Sequence, residues 1–253
     1  MKKTSIHNLR KLNLIMAALH IAQAGLIIIL STNFSLPVIG NYLDFNQASQ
    51  SLVPASKTLF NISLPILIAA FLGISSLAHL SIATFYNKKY EENLKKGINK
   101  ARWFEYSVSA SIMMVAIAML VGIYDVMALS LIFIATAVMN LCGLIMEIHN
   151  QTTTKTNWVS YQVGCLSGIG PWLAVLLGLI LSASEGAKPP TFVYYIFVSI
   201  FIFFNCFAIN MILQYRAKGK WADYLYGEKV YIFLSLFAKS ALAWQVFAGT
   251  LRP

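Results

Sequence analysis

The chain has 253 residues, of which 58% are hydrophobic and only 11% charged, with a mean hydropathy of +0.68. Soluble domains carry about 25% charged residues, so the composition excludes an ordinary soluble domain and points to a membrane protein. The formal net charge of +10 invites a nucleic-acid partner, but the basic residues alternate with apolar runs instead of sharing one surface, which excludes that class.

Seven apolar runs reach the length of about 20 residues that a bilayer core requires. They are Leu12–Ser31, Thr58–Tyr86, Ala101–Ile123, Met127–His149, Trp158–Ser182, Thr191–Leu213 and Val230–Thr250. The expected fold is an all-α seven-transmembrane-helix bundle, a single domain over residues 1–253. Ala22-Gln23-Ala24 could pass for a signal-peptide cleavage site, yet Gly25 to Leu30 continue the apolar run behind it, so an uncleaved first helix is expected. The longest polar insertion, Thr32 to Lys57, holds Pro37, Gly40, Asn41 and Pro54 among alternating stretches and is read as a short β-hairpin in the first outer loop. Cys142, Cys165 and Cys206 all fall inside spans, where they read as small packing residues.

Of the 19 lysines and arginines, only Lys57, Lys188 and Arg252 fall on the side opposite the N-terminus, and Lys239 lies within a span. The other fifteen share the N-terminal side. This asymmetry predicts a multi-pass cell-membrane protein with its N-terminus cytoplasmic and its C-terminus extracellular. The charged segment between spans two and three, NKKYEENLKKGINK, reads as a cytoplasmic loop at an anionic leaflet.

Within the spans, His20 of the first and His79 of the second lie at similar depth in the N-terminal half, with Ser75 and Ser76 beside His79. Histidines at matched depth are expected to form a polar, proton-holding cluster. Span three opens with Arg102-Trp103-Phe104-Glu105-Tyr106-Ser107-Val108-Ser109-Ala110-Ser111, and Glu105 reads as the one carboxylate well inside a span, with Glu228 in a connection and Glu147 near a span end. Span five carries Gly164, Gly168, Gly170, Pro171 and Trp172; span six is rich in aromatics, Phe204 among them.

Span seven, YIFLSLFAKSALAWQVFAGTL, places Lys239 in the middle of an apolar run. A lysine at the centre of a membrane helix costs about 2.5 to 3.5 kcal/mol, and its stem is too short to reach the headgroups from mid-core. One buried cation and one buried anion are expected to pair, because either alone would be a stranded charge. Ser235, four residues before Lys239, shares its face.

A seventh-span lysine with a third-span carboxylate, and an arginine one turn before the latter, is the pattern of microbial rhodopsins. The segment Arg102 to Ser111, the pair His20 and His79, and Phe237-Ala238-Lys239 resemble more specifically the heliorhodopsins, over essentially the whole chain. The resemblance implies all-trans retinal as cofactor, joined to Lys239 as a Schiff base, with Glu105 as counterion and Ser235 as a hydrogen-bond partner of the linkage. Ser109 and Met113 share the Glu105 face and are expected to line the pocket, and Trp172 and Phe204 are expected beside the polyene. The family is inverted in the membrane, looks dimeric and is regarded as sensory, which implies a homodimer and a cytoplasmic signalling partner whose identity the resemblance does not carry. Ion pumps of the wider group commonly have a second aspartate where this chain has Ser235, and proton pumps keep a donor carboxylate where it has Ala116. The competing readings are a light-driven or light-gated ion transporter, with His20 and His79 standing in for those carboxylates, and a retinal-free secondary transporter built on the Lys239–Glu105 pair. No nucleophile–base set or metal-ligand spacing points to an enzyme or a metal site.

Overall fold

The computed structural model describes residues 5–184 and 189–253, so Lys2, Lys3, Glu185 and Lys188 of the charge pattern lie outside the described residues. The chain opens with α1, Ile6–Leu30, whose first turn is capped by the Ser5 hydroxyl accepting from the Asn8 amide. The first connection is an antiparallel hairpin, β1 (Ser35–Asn46) and β2 (Ser51–Ser63), in register from Ser35 opposite Ser63 to Asn46 opposite Ser51, with a bulge at Val38/Ile39. It is longer than expected, and it takes Thr58–Ser63 away from the second span. Those residues pair with Ser35–Ile39 of β1, and the helix begins only at Leu64, with Pro65 in its first turn, a position that spares its missing N–H. The Ile39 amide donates to Tyr124 O (2.9 Å) and Asn41 Nδ2 to Asp125 (2.9 Å), so the hairpin is anchored to the start of the fifth helix.

Next come α2 (Leu64–Ala83), α3 (Asn87–Lys95), α4 (Lys100–Leu120), α5 (Val126–His149), α6 (Val159–Ser184), α7 (Thr191–Tyr215) and α8 (Tyr224–Val246), the last continued by a π-helical turn, Phe247–Leu251. Seven of these helices are long and apolar enough to cross a membrane, and α3 is the exception. The segment read as a plain charged loop between spans two and three holds this short helix instead. Tyr90, Asn93 and Leu94 give α3 a buried side, and Tyr90 and Leu94 pack with Leu9, Met16, Ile82 and Ile232. The last helix also starts earlier than expected, at Tyr224 under an Asp223 cap, so Glu228 is a buried helical residue and not part of a connection.

The helix α1 packs on α2, α2 on α4, α4 on α5, α5 on α6 and α7 on α8. Trp172 of α6 stands against Phe197, Phe201 and Phe204 of α7, and α1 meets α8, closing the ring. Outward faces carry exposed apolar residues such as Ile15, Ile29, Leu131, Leu166 and Ile202, while His20, Ser75, Ser109, Glu105 and Lys239 are buried. This inside-out distribution is expected where lipid replaces water as the outer solvent. The helix α6 runs through Pro171 without interruption. At Gly143 an added Cβ would overlap the Trp103 indole, and at Gly168 the Met139 sulfur, so both glycines let α5 approach α4 and α6 closely. The pairing of the last turn with the first loop, Thr32 amide to Leu251 O at 2.8 Å, ties the segment just after α1 to the end of α8 on the hairpin side.

Candidate functional site

Lys239 lies in the middle of α8, 3% exposed, and α4 brings Glu105 to it: Nζ is 3.1 Å from Glu105 Oε1. Nζ also donates to Ser235 Oγ at 2.7 Å, one turn back along the same helix. Ser75 of α2 donates to Glu105 Oε1 at 2.6 Å. The Tyr106 ring lies 5.0 Å from Nζ, adding an aromatic face beside the ammonium. Three helices therefore supply one cation, one anion and two hydroxyls. The pair is buried, and in a low-dielectric interior each charge depends on the other and on its hydrogen bonds.

Beside the pair opens a cavity of about 120 Å³. Lys239 and Ser235 stand on its wall with Met113, Met139, Phe204 and Phe207, and Asn140 is one of its few polar groups. Ser109 is fully buried next to this region, but it does not line the cavity and its hydroxyl has no hydrogen-bond partner among the described residues. Trp172 is likewise not on the wall: its ring stands edge-on against Phe204, with centroids 5.4 Å apart, and against Phe197 and Phe201. An apolar cavity with a single amine, one carboxylate beside that amine and aromatic walls fits a long apolar aldehyde such as retinal.

His20 and His79 come together as read from their depth, with parallel rings 5.7 Å apart. Their expected partners divide. Ser75 belongs to Glu105, and Ser76 donates to Ala17 O at 2.8 Å, tying α2 to α1. His79 Nδ1 instead meets Asn13 Oδ1 at 2.6 Å, while neither nitrogen of His20 has a partner among the described residues. Asn13 was not singled out from the sequence. It lies seven residues before His20, two turns along the same face of α1, and that spacing is the signal that could have found it.

A second buried cluster lies nearer the N-terminal side. Arg102, read above as opening span three on the N-terminal side, is 4% exposed and donates to both Glu147 of α5 and Glu228 of α8. Its guanidinium sits 4.0 Å from the Tyr231 ring centroid. Asn99 donates its side-chain amide to Glu228 (2.6 Å) and its backbone amide to Glu147 (2.8 Å), Tyr224 donates to Glu147 (3.2 Å), and Tyr90 of α3 reaches Glu228 at 3.4 Å. Burial first, then the Glu228 charge, hold the Tyr90 phenol well above its ordinary range, so it serves as a neutral donor. Glu228 precedes Lys239 by eleven residues, three turns on one face of α8, a periodicity visible only once the helix is known to start at Tyr224.

No curated protein sequence matches the chain. The family model describing heliorhodopsins matches residues 9–251, from the first turn of α1 to the final helical turn. Seven membrane-length helices with a hairpin in the first connection, a buried lysine–carboxylate pair at the wall of an apolar cavity, and that nearly full-length match place this multi-pass membrane protein in the heliorhodopsin family of retinal-binding photoreceptors.

Proposed function

We propose that this protein senses light through all-trans retinal attached to Lys239 and signals by a conformational change on its cytoplasmic face, without pumping ions. The observation that carries the reading is the buried Lys239–Glu105 pair, 3.1 Å apart, at the edge of the apolar cavity. When bound, retinal would supply a light-isomerisable polyene joined through its aldehyde carbon to Nζ. Met113, Phe204 and Phe207 would hold its apolar body and exclude water. Glu105 balances the positive charge kept on the lysine nitrogen, Ser235 offers that nitrogen a hydrogen-bond partner, and Ser75 keeps the carboxylate oriented.

The arrangement favours sensing over pumping. Glu105 is the acid beside Lys239, while the Glu147 and Glu228 carboxylates are held by Arg102, so neither is free to take up a proton for a relay. Ala116 stands where a donor acid would be needed. The charge asymmetry supports a cytoplasmic N-terminus and an outer hairpin, and the membrane-facing apolar surfaces are compatible with the homodimer the family implies. The stacked His20 and His79 favour a second reading, a light-driven or light-gated proton transporter in which they carry the proton.

Adding retinal to the purified protein should produce a visible absorption band that is absent in Lys239→Ala. A wild type that stays colourless would end the photoreceptor reading.

A further inference from the structure

The side-chain amide of Asn13 is buried, 1% exposed, and its orientation is set from its nitrogen end: Nδ2 donates to Leu9 O at 2.9 Å. Its oxygen is therefore the atom that faces His79 Nδ1, at 2.6 Å. An amide oxygen only accepts, so a close contact with it requires a proton on Nδ1. A neutral imidazole carries one N–H, which leaves Nε2 as its basic atom.

We propose that Asn13 is a positioning residue that fixes the neutral tautomer of His79 as Nδ1–H, so that Nε2 alone can take up a proton. Beside this ring stand Asn13 and the parallel ring of His20, both from α1, and the charges that act on it are Glu105 of α4, to which Ser75 of α2 donates, and Lys239 of α8. A proton that leaves its donor in this region forms its new bond with the Nε2 lone pair. The ring becomes a cation with both nitrogens protonated, and Nδ1–H still donates to Asn13. The charge thus appears on a ring whose orientation need not change. With the opposite tautomer, Nδ1 would present a lone pair to the Asn13 oxygen, and two acceptors would face each other in a buried site. The use of this atom in a light-triggered proton movement rests on the photoreceptor reading, but the tautomer itself does not.

Nitrogen-15 NMR of histidine-labelled protein in lipid bilayers, without added retinal and with His79→Gln used to assign the signal, reads the tautomer directly. Wild type should show a protonated Nδ1 and an unprotonated Nε2. Asn13→Leu, similar in size and unable to accept, should move His79 several-fold toward the Nε2–H form, and Asn13→Asp, which keeps an acceptor oxygen, should retain the Nδ1 proton. A wild type with the proton on Nε2 overturns the proposal even if neither variant folds, as does an Asn13→Leu protein that keeps the wild-type tautomer. Protein that stays colourless with retinal yet shows Nδ1–H would end the photoreceptor reading and leave this assignment standing.

Discussion

Lys239 and Glu105 are each tolerable in an apolar interior only because of the other. Glu105→Gln keeps the side-chain shape and removes the negative charge, leaving the cation near Nζ with Ser235 and the Tyr106 ring as its remaining partners. In the retinal-loaded protein this substitution should move the absorption band strongly to the red or make the lysine-linked nitrogen give up its proton more easily. Acidifying the wild type should redden the band for the same reason, since protonation of Glu105 also removes the charge. A spectrum and titration unchanged in Glu105→Gln would remove Glu105 from the counterion role.

The helices α4 and α8 are joined twice, by Lys239–Glu105 in mid-bundle and by Arg102–Glu228 nearer the N-terminal side, about 16 Å further along α8. Arg102 also recruits α5 through Glu147, so it holds three helices. Arg102→Met would strand two buried carboxylates, and removing one partner of a buried ion pair costs about 3–5 kcal/mol. Thermal denaturation should show this loss, and adding Glu147→Gln and Glu228→Gln to the same protein should recover most of it. A single variant as stable as wild type would show that the cluster holds no structural load. Close packing makes a similar demand at Gly143, where a methyl group would overlap the Trp103 indole on the cavity wall. Overpacking of this kind costs about 1–3 kcal/mol, so Gly143→Ala should lower thermal stability and slow retinal uptake, read as the rate at which colour develops.

At the scale of the whole molecule the two functional readings separate by what crosses the membrane. Illuminated cells or vesicles carrying the retinal-loaded protein should show no sustained light-dependent pH change, with or without a protonophore. A sustained change that the protonophore abolishes would favour the transporter reading. Orientation has its own test: single cysteines at Ser49, in the hairpin turn, and at Thr153, between α5 and α6, in an otherwise cysteine-free protein. The first should react with a membrane-impermeant reagent on intact cells and the second only after lysis, and the reverse pattern would overturn the cytoplasmic assignment of the N-terminus.

The amino-acid pattern alone determines the seven-helix membrane class and nearly every span, because long apolar runs and the one-sided lysines and arginines are local properties that survive without neighbours. It also exposes Lys239 and Glu105, since charges are sparse in such runs and each stands out by itself. Tertiary structure decides which polar groups meet. Asn13 gains a partner only because α1 packs on α2, Glu228 becomes internal only because Asp223 caps a helix six residues earlier than the apolar run suggests, and Arg102, at the opening of span three, becomes the centre of a buried cluster because Glu147 and Glu228 arrive from two other helices. The hairpin takes residues from the expected second span for the same reason, as a strand needs a partner that hydropathy along one segment does not reveal. Partnership between distant segments is a property of the packed bundle, and in a low-dielectric interior it is partnership that makes a buried polar group stable.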